Sequence, residues 1–210
     1  MNSVLVRWVF LPLFVLAVGY SLVGIFSFKS MYHSANTPKA EFLLSGNAES
    51  QTNFIIFTTY SCGFCKELYP VIKELKEVRK DIRFITHPIG FYEGETRRLV
   101  GVSIAAGLQG KFSEMHEALM EYPLSEEEQT ISEDFINETA ALYGMDIEKF
   151  SEDRASANVQ KIIDKANSAL DNAGITSVPS FMINDKIYVV TNDSLPELKD
   201  LLDIVTQAEK

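Results

Sequence analysis

A chain with two cysteines, both within four consecutive residues, has few uses for them. Here they form Cys62-Gly63-Phe64-Cys65. A continuous apolar run, Phe54-Ile55-Ile56-Phe57, comes just before. The stretch that follows, Lys66 to Lys80, carries Leu68, Val71, Ile72, Leu75 and Val78 at helical spacing. A strand therefore delivers the pair to the N-terminus of a helix. There is no third cysteine to pair with. The residues point to thiol chemistry rather than to structural staples.

The position predicts how the two thiols divide the work. A helix N-terminus favours negative charge through its unpaired N–H groups and dipole. Cys62, at the first helical position with its sulfur exposed, is placed to be a thiolate and nucleophile. Cys65, one turn on and more buried, is placed to resolve the mixed disulfide and release the partner. Two other readings stay open. Half a zinc site would need further ligands, and His33, His87 and His116 lack ligand-like spacing to the pair. An inert structural disulfide is the second. The exchange chemistry itself needs no metal and no cofactor.

Periodicity orders the rest of the chain. Phe54 to Thr59 reads as a buried strand, and Pro70 should kink the helix that follows it. Asp81 to His87 is a second strand, parallel to the first because a helix connects them. Helical patterns then cover Glu95 to Leu108, Lys111 to Tyr122 (with Phe112, Met115 and Leu119 on one face), Asp146 to Asp153, and Ser156 to Ala173. Thr130-Ile131-Ser132-Glu133 reads as a capping box opening a helix that ends at Gly144. The period then returns to two. Ser180 to Asn184 and Lys186 to Val190 form a hairpin about Asn184-Asp185. Ser194-Leu195-Pro196-Glu197 reads as a second capping box before a last helix with Leu198, Leu201, Leu202 and Val205 inside. The order is strand, helix, strand, helical block, hairpin, helix. This is an α/β, thioredoxin-like fold with an all-helical insertion over about residues 93–173. His87 and His116 read as structural histidines; Phe91 and Tyr92 follow a strand near the site end.

The first 39 residues differ from the remainder. Trp8 to Phe28 is 21 residues without a charge, long enough at about 1.5 Å per residue to span a bilayer core of about 30 Å. A cleaved signal peptide has a shorter apolar core and a small-x-small cleavage site. A buried core helix would be apolar on one face only. An uncleaved N-terminal transmembrane anchor at residues 1–28 and a polar linker at 29–41 fit better. Arg7, Lys29 and Lys39 are the charges before Ala40, leaving 16 basic and 29 acidic residues beyond it, a net charge of −13. That balance argues against nucleic acid as a partner and for a soluble domain over residues 42–207. Positive charge is nearly balanced across the segment and hardly constrains its orientation. A dithiol working as an oxidant belongs outside the cytoplasm, in the bacterial periplasm or cell exterior.

Val178-Pro179 is the second signal. A proline directly before a strand is tolerated only at the strand's start. A cis bond there would leave the Val178 backbone free to pair with a peptide. At this point a resemblance is plain. Phe57-Thr58-Thr59-Tyr60-Ser61-Cys62-Gly63-Phe64-Cys65-Lys66 resembles the active-site strand and helix of DsbA-like thiol oxidoreductases. Ala105-Ala106-Gly107-Leu108-Gln109-Gly110-Lys111-Phe112, running on to His116, resembles the start of their helical insertion. Gly174-Ile175-Thr176-Ser177-Val178-Pro179-Ser180-Phe181 resembles their cis-proline loop. The resemblance implies Cys62 as nucleophile, Cys65 as resolving thiol and Pro179 as the cis residue. It also implies protein or peptide substrates docking over Gly63, Phe64 and Val178, and a membrane redox partner that recycles the dithiol.

Two departures matter. Ile56 stands where many members carry an acid, and Gly-Phe stands between the cysteines where the best-known oxidase has Pro-His. Without that histidine the Cys62 thiolate loses a stabiliser, so a pKa between about 3.5 and about 7 is expected. Gly-aromatic also occurs in periplasmic isomerases, but those dimerise through a separate N-terminal domain that a dozen linker residues cannot supply. The reading is a monomeric, membrane-anchored oxidase. Its alternatives are an isomerase or reductase of the same fold, or a non-catalytic client-binding module.

Overall fold

The computed structural model describes residues 44–90, 94–124, 130–184, 186–190 and 194–210. The anchor at 1–28, the linker at 29–41, and Phe91 and Tyr92 lie outside the described residues. Among those described, no helix is long and apolar enough to cross a membrane.

The apolar run becomes β2 (Asn53–Thr58), buried from Phe54 onward because both of its faces are covered. It pairs in parallel with β3 (Arg83–Pro88), Phe54 opposite Phe84 and Phe57 opposite His87. The hairpin β4 (Ser180–Ile183) and β5 (Lys186–Val189) adds antiparallel to the other side of β2. A three-residue strand, β1 (Leu44–Gly46), pairs antiparallel with β3 and completes the order β1-β3-β2-β4-β5. β1 is not expected from the sequence; three residues are too few to show a period of two. Its end needs glycine. Gly46 has φ 77°, and a Cβ there would lie 2.4 Å from the Ile82 carbonyl oxygen.

Alternation along β2 sorts its side chains between two cores. Phe54 and Ile56 join Phe84, Phe181 and Ile183 under α1 (Gly63–Val78) and the C-terminal helix α7 (Leu198–Ala208), whose Leu68, Ile72, Leu75, Leu201 and Val205 fill that face. Ile55 and Phe57 face the other way, with Ile85, Ile89, Met182, Leu170 and Ile175. Pro70 sits on the exposed side of α1, which continues through it as one helix. The hairpin turn is carried by Asn184 at φ 54°. Its side chain accepts from the Asn53 N–H at 3.1 Å and donates to the Ala208 carbonyl at 3.3 Å.

Between β3 and β4 lie α2 (Glu95–Leu108), α3 (Phe112–Glu121), α4 (Glu133–Leu142), α5 (Ile147–Arg154) and α6 (Ala157–Ala173). Their apolar faces close on a third core around Val100, Met115, Leu119, Ile136, Phe150 and Ile163. Tyr60, Cys65 and Tyr69 from the sheet side are part of that core, so the insertion packs directly behind the cysteine pair.

Both capping assignments need correction. The N-cap of α4 is Ser132, whose hydroxyl accepts from the Phe135 N–H at 3.2 Å. Ile131 is held out of the helix: its N–H donates to Glu95 Oε1 at 3.1 Å and its carbonyl accepts from Arg98 at 2.6 Å. Glu133, the expected box partner, instead pairs with Arg98 and Arg154. For α7 the box is Glu197 with Asp200, whose carboxylate accepts from the Glu197 N–H at 3.0 Å. The preceding Leu195 packs against the core under α7, and residues 194–197 lie outside the helix.

Candidate active site

Cys62 is the N-cap of α1, one position before the helix proper, with extended backbone at φ −98° and ψ 114°. That conformation turns its side chain back over the first turn. Its sulfur accepts from the Cys65 N–H at 3.2 Å, filling the role a serine or aspartate plays at other caps. Cys65 lies in the first turn and is 3% exposed, while Cys62 is half-buried. Both are free thiols.

Hydrogen bonding separates their acidities. The Cys62 thiol is drawn down from 9.0 to about 7, chiefly by the Cys65 thiol and then, against burial, by the N–H groups of Cys65 and Phe64. This is the upper end of the range expected from the sequence. Cys65 moves the other way. Bonded to the Cys62 sulfur and buried, it is held far above the ordinary thiol range. One thiol is thus half-ionised near neutral pH while the other keeps its proton.

The second block arrives from β4. The Val178–Pro179 bond is cis, and the Val178 carbonyl lies 3.9 Å from the Cys62 sulfur. Ser180 Oγ donates to the Ser177 carbonyl at 2.7 Å and closes the loop. Gly63 is exposed with nothing within 4 Å of where a Cβ would be, and Phe64 is 39% exposed. The six residues singled out in the sequence therefore meet at one end of the sheet. Beside Gly63, a groove of about 630 Å³ runs between α1 and the C-terminal end of α3, with Tyr69, Pro70, Tyr122 and Leu124 on its walls.

Three features of the site are not foreseen by the sequence. Lys66 Nζ donates to the carbonyls of Leu119, Met120 and Tyr122, gathering the free C-terminal carbonyls of α3. Burial lowers this lysine to about 8, and its attraction to the Cys65 sulfur works against that. Ser61 Oγ lies 2.9 Å from Thr96 Oγ1 and ties the approach to the cysteines to the start of α2. Tyr60 Oη lies 3.1 Å from His116 Nδ1, with the His116 ring between Tyr69 and Phe112. His116 and His87 are both buried, and burial depresses each from 6.5 to about 3. Among the described residues, no group of histidines, cysteines or carboxylates is assembled to hold a metal ion.

This geometry can carry thiol–disulfide exchange: an accessible stabilised thiolate, a protonated thiol within one turn, and an open peptide surface beside both. Residues 54–203 match the family model of the DSBA-like thioredoxin domain. No curated protein matches the chain. Among solved structures it is similar to a thioredoxin-like oxidoreductase from Silicibacter pomeroyi DSS-3, at 22% identity and TM-score 0.70, covering 86% of this chain and 96% of that one. The thiol-disulfide exchange protein alpha-DsbA2 from Wolbachia pipientis is similar at 21% identity and TM-score 0.69, covering 89% and 96%. The catalytic domain of Proteus mirabilis ScsC is similar at 18% and 0.65, covering 86% and 96%. At these identities the structural likeness establishes the fold.

Proposed function

Because this chain belongs to the family of DSBA-like thioredoxin domains and is a protein thiol:disulfide oxidoreductase, we propose that it acts as a membrane-anchored oxidase of envelope or secreted proteins. Residues 8–28 hold it in the bacterial inner membrane as a single span, with residues 42–207 facing the periplasm or exterior. The observation that carries this reading is the half-buried Cys62, set against buried Cys65 and the Val178 carbonyl.

In the oxidising direction a client thiolate attacks Cys62 of the Cys62–Cys65 disulfide. A client–Cys62 bond forms, and Cys65 leaves with the electron pair and takes a proton. A second client thiolate then attacks the client sulfur, forming the client disulfide and releasing Cys62 as its thiolate. Two electrons and the proton now reside on the dithiol. A membrane redox partner removes them and restores the disulfide. The stability of the Cys62 thiolate favours its departure, since a less basic thiolate leaves faster. Gly63, Phe64, Val178 and Pro179 form the peptide-binding surface, and the groove beside Gly63 gives an extended client room to continue past the cysteines. The protein works as a monomer, with no metal or cofactor.

A second reading is favoured by one observation: a Cys62 thiol at about 7 stands near the thioredoxin figure of about 7, not the DsbA figure of about 3.5. An isomerase or reductase of this fold would show it. The reduction potential of the full chain, equilibrated in glutathione buffers in detergent, separates the two. A value near about −120 mV supports the oxidase, and one near about −270 mV refutes it. Cys65→Ser should trap clients on Cys62 as mixed disulfides. No adducts, together with an unaltered activity in Cys62→Ser, would favour a binding module instead.

A further inference from the structure

Every cycle of exchange requires Cys65 to lose or gain a proton, yet this residue of the first turn of α1 is only 3% exposed. Bulk water has little access to it. A small cavity of about 20 Å³, room for about one water molecule, lies against Cys65. Its walls are mostly apolar, among them Ile56, Ile72 and Pro179. Besides Cys65, the polar exceptions are Thr58, Tyr69, Thr86, Lys76 and His116. Among the described residues, no carboxylate lines it.

The same wall has a second side. Tyr69, Lys76, Thr86 and His116 also line a pocket of about 350 Å³, which reaches the surface at exposed Ser113, Glu74 and Glu77. These four residues line both the small cavity and the outer pocket. Two of them are bases. His116 is committed, its Nδ1 against Tyr60 Oη and its ring between two aromatic neighbours. Lys76 is not. Its Nζ makes no hydrogen bond or ion pair among the described residues and lies 5.9 Å from the centroid of the Phe84 ring.

We propose that Lys76 is the internal proton carrier for Cys65, exchanging the thiol proton through the cavity water and passing it to solvent through the outer pocket. The proposal rests on the thiol–disulfide exchange reading above. When a mixed disulfide at Cys62 is resolved, the Cys65 proton moves by way of the water to the Lys76 amine. The Cys65 thiolate attacks the Cys62 sulfur, the Cys62–Cys65 bond forms, and the partner sulfur leaves with the electron pair of the broken bond. The ammonium so formed then loses its proton outward. In the opposite direction the ammonium reprotonates Cys65 as it leaves.

Burial lowers Lys76 to about 8, opposed by Glu117. At neutral pH about a tenth of it is therefore amine and able to accept. The other charged and titratable groups around it come from two helices. On α1 they are Tyr69, Lys73, Glu74 and Glu77; on α3 they are His116 and Glu117. Lys73 is already paired with Glu117 and Glu121. Among the described residues, β1 and β3 contribute Ser45, Thr86 and the Phe84 ring.

The test uses the full reduced chain in detergent with oxidised glutathione as probe. Acid-quenched samples read by intact mass give two rates: appearance of the glutathione adduct at Cys62, and its decay as Cys65 resolves it. Lys76→Met should leave appearance unchanged, slow decay about 100-fold and abolish the inflection of decay near pH 8. Lys76→Arg keeps the charge but cannot give up its proton, and should be equally slow. Unchanged decay in Lys76→Met, restoration of decay by arginine, or equal slowing of appearance and decay would each overturn the assignment. Failure of the unsubstituted chain to form the adduct at all would refute exchange itself, and this proposal with it.

Discussion

Removing the Cys65 sulfur should raise the pKa of the Cys62 thiol. In Cys65→Ala the Cys62 thiolate loses its largest stabiliser and keeps the N–H groups of residues 64 and 65. The fall from 9.0 to about 7 in the parent corresponds to about 2.7 kcal/mol. If the Cys65 thiol supplies half of that, about 1.4 kcal/mol, the midpoint rises by about one pH unit to about 8. At pH 7 the thiolate fraction then drops about fivefold. A more basic thiolate is also intrinsically more reactive, by about threefold over that interval, so alkylation rates would change only about twofold. Thiolate absorbance near 240 nm against pH is therefore the assay, read below about pH 9 to stay clear of tyrosine ionisation. Cys65→Ser keeps a hydroxyl donor and should fall between parent and alanine. A midpoint that stays near 7 in the alanine variant would show that the helix N-terminus alone sets the acidity, and the argument from the paired thiol would fail.

Four further outcomes follow from the same geometry. Because the folded Cys62 is depressed, its stabilising contribution is complete above pH 9.0 and gone below about 7; urea midpoints of the dithiol form should rise relative to the disulfide form across that window, and parallel curves would refute it. His87 and His116 refuse protons that the unfolded chain accepts below 6.5, so each should cost about 1.4 kcal/mol per pH unit on acidification, and His116→Asn should flatten the loss between pH 6 and 4 by that amount. Phe54 is fully buried, 5.2 and 5.6 Å from the Phe181 and Phe84 rings; Phe54→Ala should cost about 3–5 kcal/mol in urea, and a loss below about 1 would show that its core can collapse around the gap. Gly101→Ala would put a Cβ 2.9 Å from the Arg154 carbonyl oxygen and push α2 from α5, for about 1–3 kcal/mol, whereas Gly63→Ala meets open space and should leave stability nearly unchanged.

The parts of the fold legible in the sequence are those written as periodicity. The strand, cysteine pair and helix of residues 54–78, the parallel β2–β3 pair and the hairpin about Asn184 all follow from apolar spacing and turn chemistry. What escapes depends on contacts distant in the chain. The box pattern at Thr130 is overruled because Ile131 is held by Glu95 and Arg98, more than 30 residues away. Lys66 is visible as a cation beside Cys65, but backbone carbonyls as its partners leave no mark in a sequence. Lys76, between Leu75 and Glu77, has the sequence surroundings of a solvent-facing residue of α1. Its long apolar stem instead carries the amine over the Phe84 ring, at the wall of the outer pocket.

The grip of Lys66 on α3 also bears on how this sequence can drift. Three carbonyls converge on one amine only while α3 keeps its residue count up to Tyr122. Adding or deleting one residue in that helix would swing its last turn by about 100° and carry the carbonyls away. Length changes in the insertion are therefore admissible at its loops, whereas α3 is held to a fixed length by the residue next to Cys65.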